Sequence, residues 1–141
     1  MSVRARRIAA VVGVVVMLSA FAPVTTSLAH PTTSFDACAA YKRTSQACVD
    51  NASYLYGDTV FLRANVAPTH AGTLAAVLRR DPRSNVWMRV AAVRVSDYGK
   101  MRFEWTTTHD DADQLDPYLF RFKIVGHGRS NKVRTWILLG E

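Results

Sequence analysis

From Lys100 onward polar and apolar residues alternate strictly, with Met101, Phe103 and Trp105 on one side and Lys100, Arg102 and Glu104 on the other. A period of two is that of a half-buried strand, because successive side chains of an extended backbone point to opposite faces. The same period runs through TVFLRANV, where Val60, Leu62, Ala64 and Val66 share a face and Phe61 is the one apolar residue opposite. It returns in YLFRFKIV, with Tyr118, Phe120, Phe122 and Ile124 against Arg121 and Lys123, and in Val133, Thr135, Ile137 and Leu139. Two stretches fit less cleanly. In residues 73–80, Leu74, Ala76 and Leu78 compete with Ala75 and Val77 for the inner face, which calls for a strand covered on both sides or for a bulge. In residues 87–95, Trp87, Arg89, Ala91, Val93 and Val95 share one parity, so either Arg89 lies at a sheet edge or a bulge shifts the register near it.

Turn chemistry separates these runs: Tyr56-Gly57-Asp58, residues 67–72, residues 81–85, Ser96-Asp97-Tyr98-Gly99, the acidic residues 108–116 and Gly126-His127-Gly128. Asp hydrogen-bonds its own backbone and Gly accepts positive φ, so both end strands. Six or seven short strands between such signals predict an all-β chain, built as an antiparallel sandwich. Residues 35–49 hold Ala37, Ala39, Ala40 and Ala47 without Gly or Pro, and there a short helical turn is expected between the cysteines.

The start of the chain changes the picture. Arg4, Arg6 and Arg7 precede an apolar run, and Ser27-Leu28-Ala29 supplies small residues where a signal peptidase cleaves. The reading is a secretory signal peptide over residues 1–29, a lead over 30–53 and one domain over 54–141. The apolar run is shorter than the roughly 20 residues that cross a bilayer, so no stable membrane anchor is expected after cleavage. Removing 29 of 141 residues leaves 112, one ordinary domain, and takes away three arginines and no acid, lowering the formal charge from +7 to +4. That charge suits weak attraction to polyanions such as cell-wall polymers and is no nucleic-acid footprint. Cys38 and Cys48 are the only cysteines. Outside the cytoplasm such a pair in a small domain predicts a disulfide, and a loop of this length contributes about 3 kcal/mol in the chain-entropy model.

Tyr56-Gly57-x-x-Val60-x-Leu62, then Leu78-Arg79-Arg80 with Trp87 beyond, then Gly99-x-Met101-x-Phe103-x-Trp105, then Tyr118-x-Phe120-x-Phe122, resembles the immunoglobulin-like, fibronectin-III-like modules of secreted actinobacterial proteins. The resemblance covers about residues 54–139. It implies an Ig-like β-sandwich of about seven strands, and such sandwiches carry many unrelated roles.

Alternate loops of antiparallel strands gather at one end. Residues 67–72, 96–99 and 126–132 would then bring His70, Tyr98, His127, Arg129 and Lys132 together on Gly-rich turns, a set suited to acidic or hydroxylated groups of a partner. The other end would join Arg79, Arg80 and Arg83 to Asp110, Asp111, Asp113 and Asp116. Calcium is conceivable at those carboxylates, but the nearby arginines repel the ion. Two histidines without a third ligand make no metal site. Of the tryptophans, Trp105 shares the apolar face with Phe103 and is expected to pack inward, while Trp136 has the outward parity and is the candidate for sugar contact. Motifs for acyl transfer, zinc hydrolysis, phosphate cradling and thiol redox chemistry are missing, and no cofactor is implied. The sequence therefore predicts a secreted, monomeric, non-catalytic module, extracellular or wall-associated, that recognises an extracellular protein or cell-wall polymer through one loop end. An inhibitor of an extracellular hydrolase is the alternative.

Overall fold

The computed structural model of the chain describes residues 33–140, so the expected signal peptide and its cleavage site lie outside the described residues. Nine strands follow one another: β1 (Thr33–Ala40), β2 (Asn51–Leu55), β3 (Thr59–Asn65), β4 (Leu74–Arg80), β5 (Trp87–Arg94), β6 (Lys100–Thr106), β7 (Asp113–Ile124), β8 (Gly128–Ser130) and β9 (Val133–Leu138). The only helical pieces among the described residues are 3-10 turns at Pro68–His70 and His109–Asp111, and no helix is long and apolar enough to cross a membrane. The all-β expectation holds.

Hydrogen bonding divides the strands into two groups that share a continuous ladder. In one, β3 lies between β1 and β6, antiparallel to both. In the other, β4 lies between β5 and β7, and β7 is followed by β9 and β2. The inner faces of both groups meet in one core: Val60, Leu62 and Ala64 of β3 and Met101 of β6 join Val77 of β4, Phe120 and Phe122 of β7 and Ile137 of β9. Across it the Trp105 ring stands 5.0 Å from Tyr118 and 5.5 Å from Phe120, and Phe103 stands 6.4 Å from Phe120. Trp105 thus packs inward, as its parity predicts.

Two features depart from the sequence reading, and a third settles an alternative it left open. First, residues 33–40 form a strand that takes in Cys38, and where a helical turn was expected between the cysteines the chain makes a single tight turn, with the Ser45 N–H donating to the Lys42 carbonyl at 3.1 Å. Phe35, Ala37 and Ala39 alternate with Asp36 and Cys38, and Ala37 and Ala39 are buried in the core. Helix propensity favours Ala by only tenths of a kcal/mol per residue, which pairing with β3 overrides. Second, the described residues form nine strands and the sheet is mixed: β1 runs parallel to β8, and β2 parallel to β9. Both parallel ladders join the first strands of the chain to the last. Third, the ambiguous strand β4 buries Ala75 and Val77 and turns Leu74, Ala76 and Leu78 outward. Its register with β5 shifts between Val77 and Leu78, skipping Val90. That places Arg89 opposite Leu78 on an edge strand next to a bulge.

The second edge of β1 is satisfied from three sources. β8 pairs with it at Thr33 and Phe35. At Ala37 the Asn131 side chain takes over: its Oδ1 accepts from the Ala37 N–H at 2.6 Å and its Nδ2 donates to the Ala37 carbonyl at 2.9 Å. At Ala39 the partner is Val49, through two backbone bonds of 2.8 and 2.9 Å. Beside that last pair the Cys38–Cys48 disulfide is formed, with Cα atoms 5.4 Å apart. The loop it closes is held by the Arg63 guanidinium, which donates to the carbonyls of Ser45, Arg43 and Lys42. At the loop's start the Tyr54 hydroxyl donates to the Ala40 carbonyl at 2.8 Å. Burial, with smaller contributions from Tyr41 and Asp58, pushes the Tyr54 pKa up to about 12.

Two outcomes are expected. Asn131→Ala leaves both polar groups of buried Ala37 without a partner and lowers unfolding free energy by about 2–3 kcal/mol in urea titrations. Asn131→Asp, which can still accept from the N–H but repels the carbonyl, falls between. Because the Tyr54 pKa is raised above its unfolded value near 10, the neutral phenol's contribution is full below pH 10 and is lost as pH approaches 12. Tyr54→Phe should cost about 1 kcal/mol at neutral pH and make the decline of melting temperature across that alkaline window shallower.

Candidate functional site

Directly paired residues on neighbouring strands share a face, so the registers define what covers the outer side of the β5-β4-β7-β9 group. One row reads Trp87, Arg80, Leu119, Arg134; the next reads Arg89, Leu78, Arg121; a third reads Ala92, Ala76, Lys123, Arg129. The rows hold six cations and no acid. Neighbouring strands are about 4.8 Å apart, so these charges crowd one another. Lys123 and Arg129 are direct partners in the β7–β8 ladder, a placement that destabilises a sheet.

Within this face lies a groove of about 530 Å³, floored by Leu78 and Trp87 and rimmed by Arg121, Lys123 and Arg129. Arg121 reaches from β7 over β4 and lays its guanidinium 4.2 Å from the centre of the Trp87 ring on β5. The ring's negative face attracts the cation and holds both side chains in place. Arg121 Nε is buried without a hydrogen-bond acceptor among the described residues. Burial, then Arg129 and Arg80, lowers the Arg121 pKa, although a guanidinium remains charged at neutral pH. The far wall is the turn after β7, where Gly126 and Gly128 adopt φ of +78° and +105° and let the backbone curl beside Lys123. Among the described residues no carboxylate, imidazole or hydroxyl lines the groove.

The five residues singled out from sequence are divided by the structure. His70 and His127 do meet, with ring centres 4.5 Å apart, at the end where the turns were expected to gather. Arg129 follows directly into the groove. Tyr98, 81% exposed, lies with Arg94, Lys100 and Arg102 on the β5–β6 side. Lys132 stands apart from that end, near Arg80, Asp116 and Arg134 beside a second hollow. Sequence reasoning passed over Trp87, Arg121 and Lys123 as ligand-facing groups. The available signals were the two cations on the polar side of β7 and the surplus apolar face of β4.

At the opposite end the expected meeting of loops occurs: Arg83 Nη2 donates to the Ala112 carbonyl at 3.2 Å. Asp111 is engaged by Thr108, whose N–H and hydroxyl both donate to its carboxylate at 2.7 and 2.9 Å. Among the described residues no three His, Cys, Asp or Glu side chains stand close enough to hold a metal ion. Trp136 faces away from the core beside Ser53 and is half-buried. No family model, curated protein or solved structure matches the chain.

The groove arginine is expected to contribute little to folding. Arg121→Met trades a crowded, desolvated cation and its ring contact for an apolar side chain of similar length. Unfolding free energy should stay within about 1 kcal/mol of the parent. In urea titrations at low and at about 0.5 M salt, the stabilisation by salt should be smaller in the variant, since one of the repelling charges that salt screens is gone.

Proposed function

We propose that the chain is a secreted, non-catalytic binding module with an Ig-like sandwich arrangement, and that the cationic groove is its recognition surface. The β1-β3-β6 group facing β5-β4-β7-β9 corresponds in order to the A-B-E and C′-C-F-G groupings of such sandwiches. A disulfide fits an oxidising compartment. The observation that carries the reading is the groove: three cations at its rim, an arginine over a tryptophan ring, and no acid among the described residues that line it. Lys123 stands directly opposite Arg129, a like-charge placement that on its own costs stability. An anionic surface docked there would offset the repulsion, and sites often keep such local conflicts for binding. The partner is an extracellular protein or envelope polymer, and the turn carrying His127 and Arg129 forms one lip of the site, which narrows the loop-end expectation to that turn.

The test is capture by the immobilised protein from preparations of secreted proteins and cell-wall polymers. Lys123→Glu combined with Arg129→Glu should reduce specific capture by about tenfold or more, while Tyr98→Ala and Lys132→Ala leave it near the parent level. Equal capture by the charge-reversed protein, with its circular dichroism unchanged, would rule the groove out as the recognition surface.

A further inference from the structure

We infer that the groove takes a linear polysaccharide bearing carboxylates, a polyuronate, lying across the strands. The inference rests on the reading of the groove as the recognition surface and names its ligand class. Charge complementarity is the first argument. The cations do not form a single spot. They continue along the rows from Arg89 through Arg121 and Lys123 to Arg129, so anions repeated along a chain would meet them in succession, while Arg80 and Arg134 share a second hollow with Asp116. From β5 to β8 this track crosses three strand spacings, roughly 15 Å, enough for several sugar rings.

Chemistry at the floor is the second argument. Between the cations lie Leu78 and Trp87, one face of whose indole is covered by Arg121, and this apolar lining suits the C–H face of a pyranose ring. The Arg121 guanidinium over that indole carries N–H donors of the kind that bind carboxylates in charge-assisted hydrogen bonds. The cations thus read the acid groups while the floor accepts the ring, and a polymer of bare phosphodiesters uses only the first. Shape is the third. A lipid surface is contacted by protruding side chains, whereas Leu78 and Trp87 are half-buried inside a concavity. Single-stranded nucleic acid would also suit cations with an aromatic floor, but the disulfide favours a compartment where envelope polysaccharides are the common polyanions.

The experiment titrates the purified protein with hyaluronan and alginate octasaccharides, following tryptophan fluorescence and heat of binding. Neutral dextran oligosaccharide, inorganic polyphosphate, oligothymidylate and phosphatidylglycerol vesicles serve as comparisons. Saturable polyuronate binding is expected, weakening with salt and about tenfold or more tighter than any comparison. Lys123→Gln with Arg129→Gln should lose about tenfold. Trp87→Leu should lose affinity with the salt dependence kept, and Arg43→Gln, in the disulfide loop away from the groove, should bind like the parent. Should Trp87→Leu misfold, the charge-neutral pair, on exposed or half-exposed positions, decides alone. Equal or tighter binding of polyphosphate, oligothymidylate or vesicles overturns the inference, as does polyuronate binding that the paired variant leaves intact. If polyuronates fail while the charge-reversed protein still loses capture from envelope preparations, the ligand class is wrong and the recognition surface stands. If neither result appears, both fall.

Discussion

Strand β1 must satisfy two edges, and the rest of the fold depends on how it does so. Every buried backbone N–H and C=O needs a partner, and only the β3 side of β1 meets a long ladder. Along the other edge, positions 33, 35, 37 and 39 are met in turn by β8, by the Asn131 amide and by Val49. Because β8 belongs with β7 while Val49 belongs to the disulfide loop, this edge ties the two strand groups and the crossover to β2 to one strand. Ser130 supports the same corner: its hydroxyl accepts from the Phe122 N–H at 2.9 Å and donates to the Asn131 carbonyl at 2.8 Å. The disulfide shortens the search for that arrangement in the unfolded chain and is local to it.

The core and the outer face are built on opposite principles. Inside, aromatic rings from β6 and β7 interlock, and the small side chains of Ala37, Ala39, Ala64 and Ala75 let the strands approach. Outside, cations are concentrated across β5, β4, β7 and β9 with no acid among the paired rows. The other strand group also sets like charges across a ladder, Arg63 opposite Arg102. There Arg63 donates to loop carbonyls, and Arg43 of the disulfide loop pairs with Glu104 at 3.2 Å. The groove face differs in gathering its cations around an apolar concavity.

Much of this was readable in the residues, and the misses have physical causes. The alternation of residues 59–65, 100–106 and 118–124 identified strands and inner faces, because a buried face leaves a direct imprint of period two. Residues 33–40 carried the same imprint in Phe35, Ala37 and Ala39, yet alanine's helix propensity competed with it, and a neighbouring strand decided the outcome. The unsettled parity of residues 87–95 became a bulge at Val90 on an edge strand. For the site, chain order brought His70 to His127 and Arg129 to the end of the groove, but not Lys132 or Tyr98.

By itself the sequence determined which residues extend, which of their sides is apolar, that a cysteine pair was available, and that cations outnumber acids. These are properties of short stretches, set by covalent geometry and by the solubility of each side chain. Tertiary structure decided which strands lie side by side. Only then does Arg121 find the Trp87 ring, Lys123 stand opposite Arg129, and the outward Leu78 become the floor of a groove. Arg121 and Trp87 lie tens of positions apart in the chain, and even Lys123 and Arg129, joined by a short turn, meet through a register that no periodicity within either strand records.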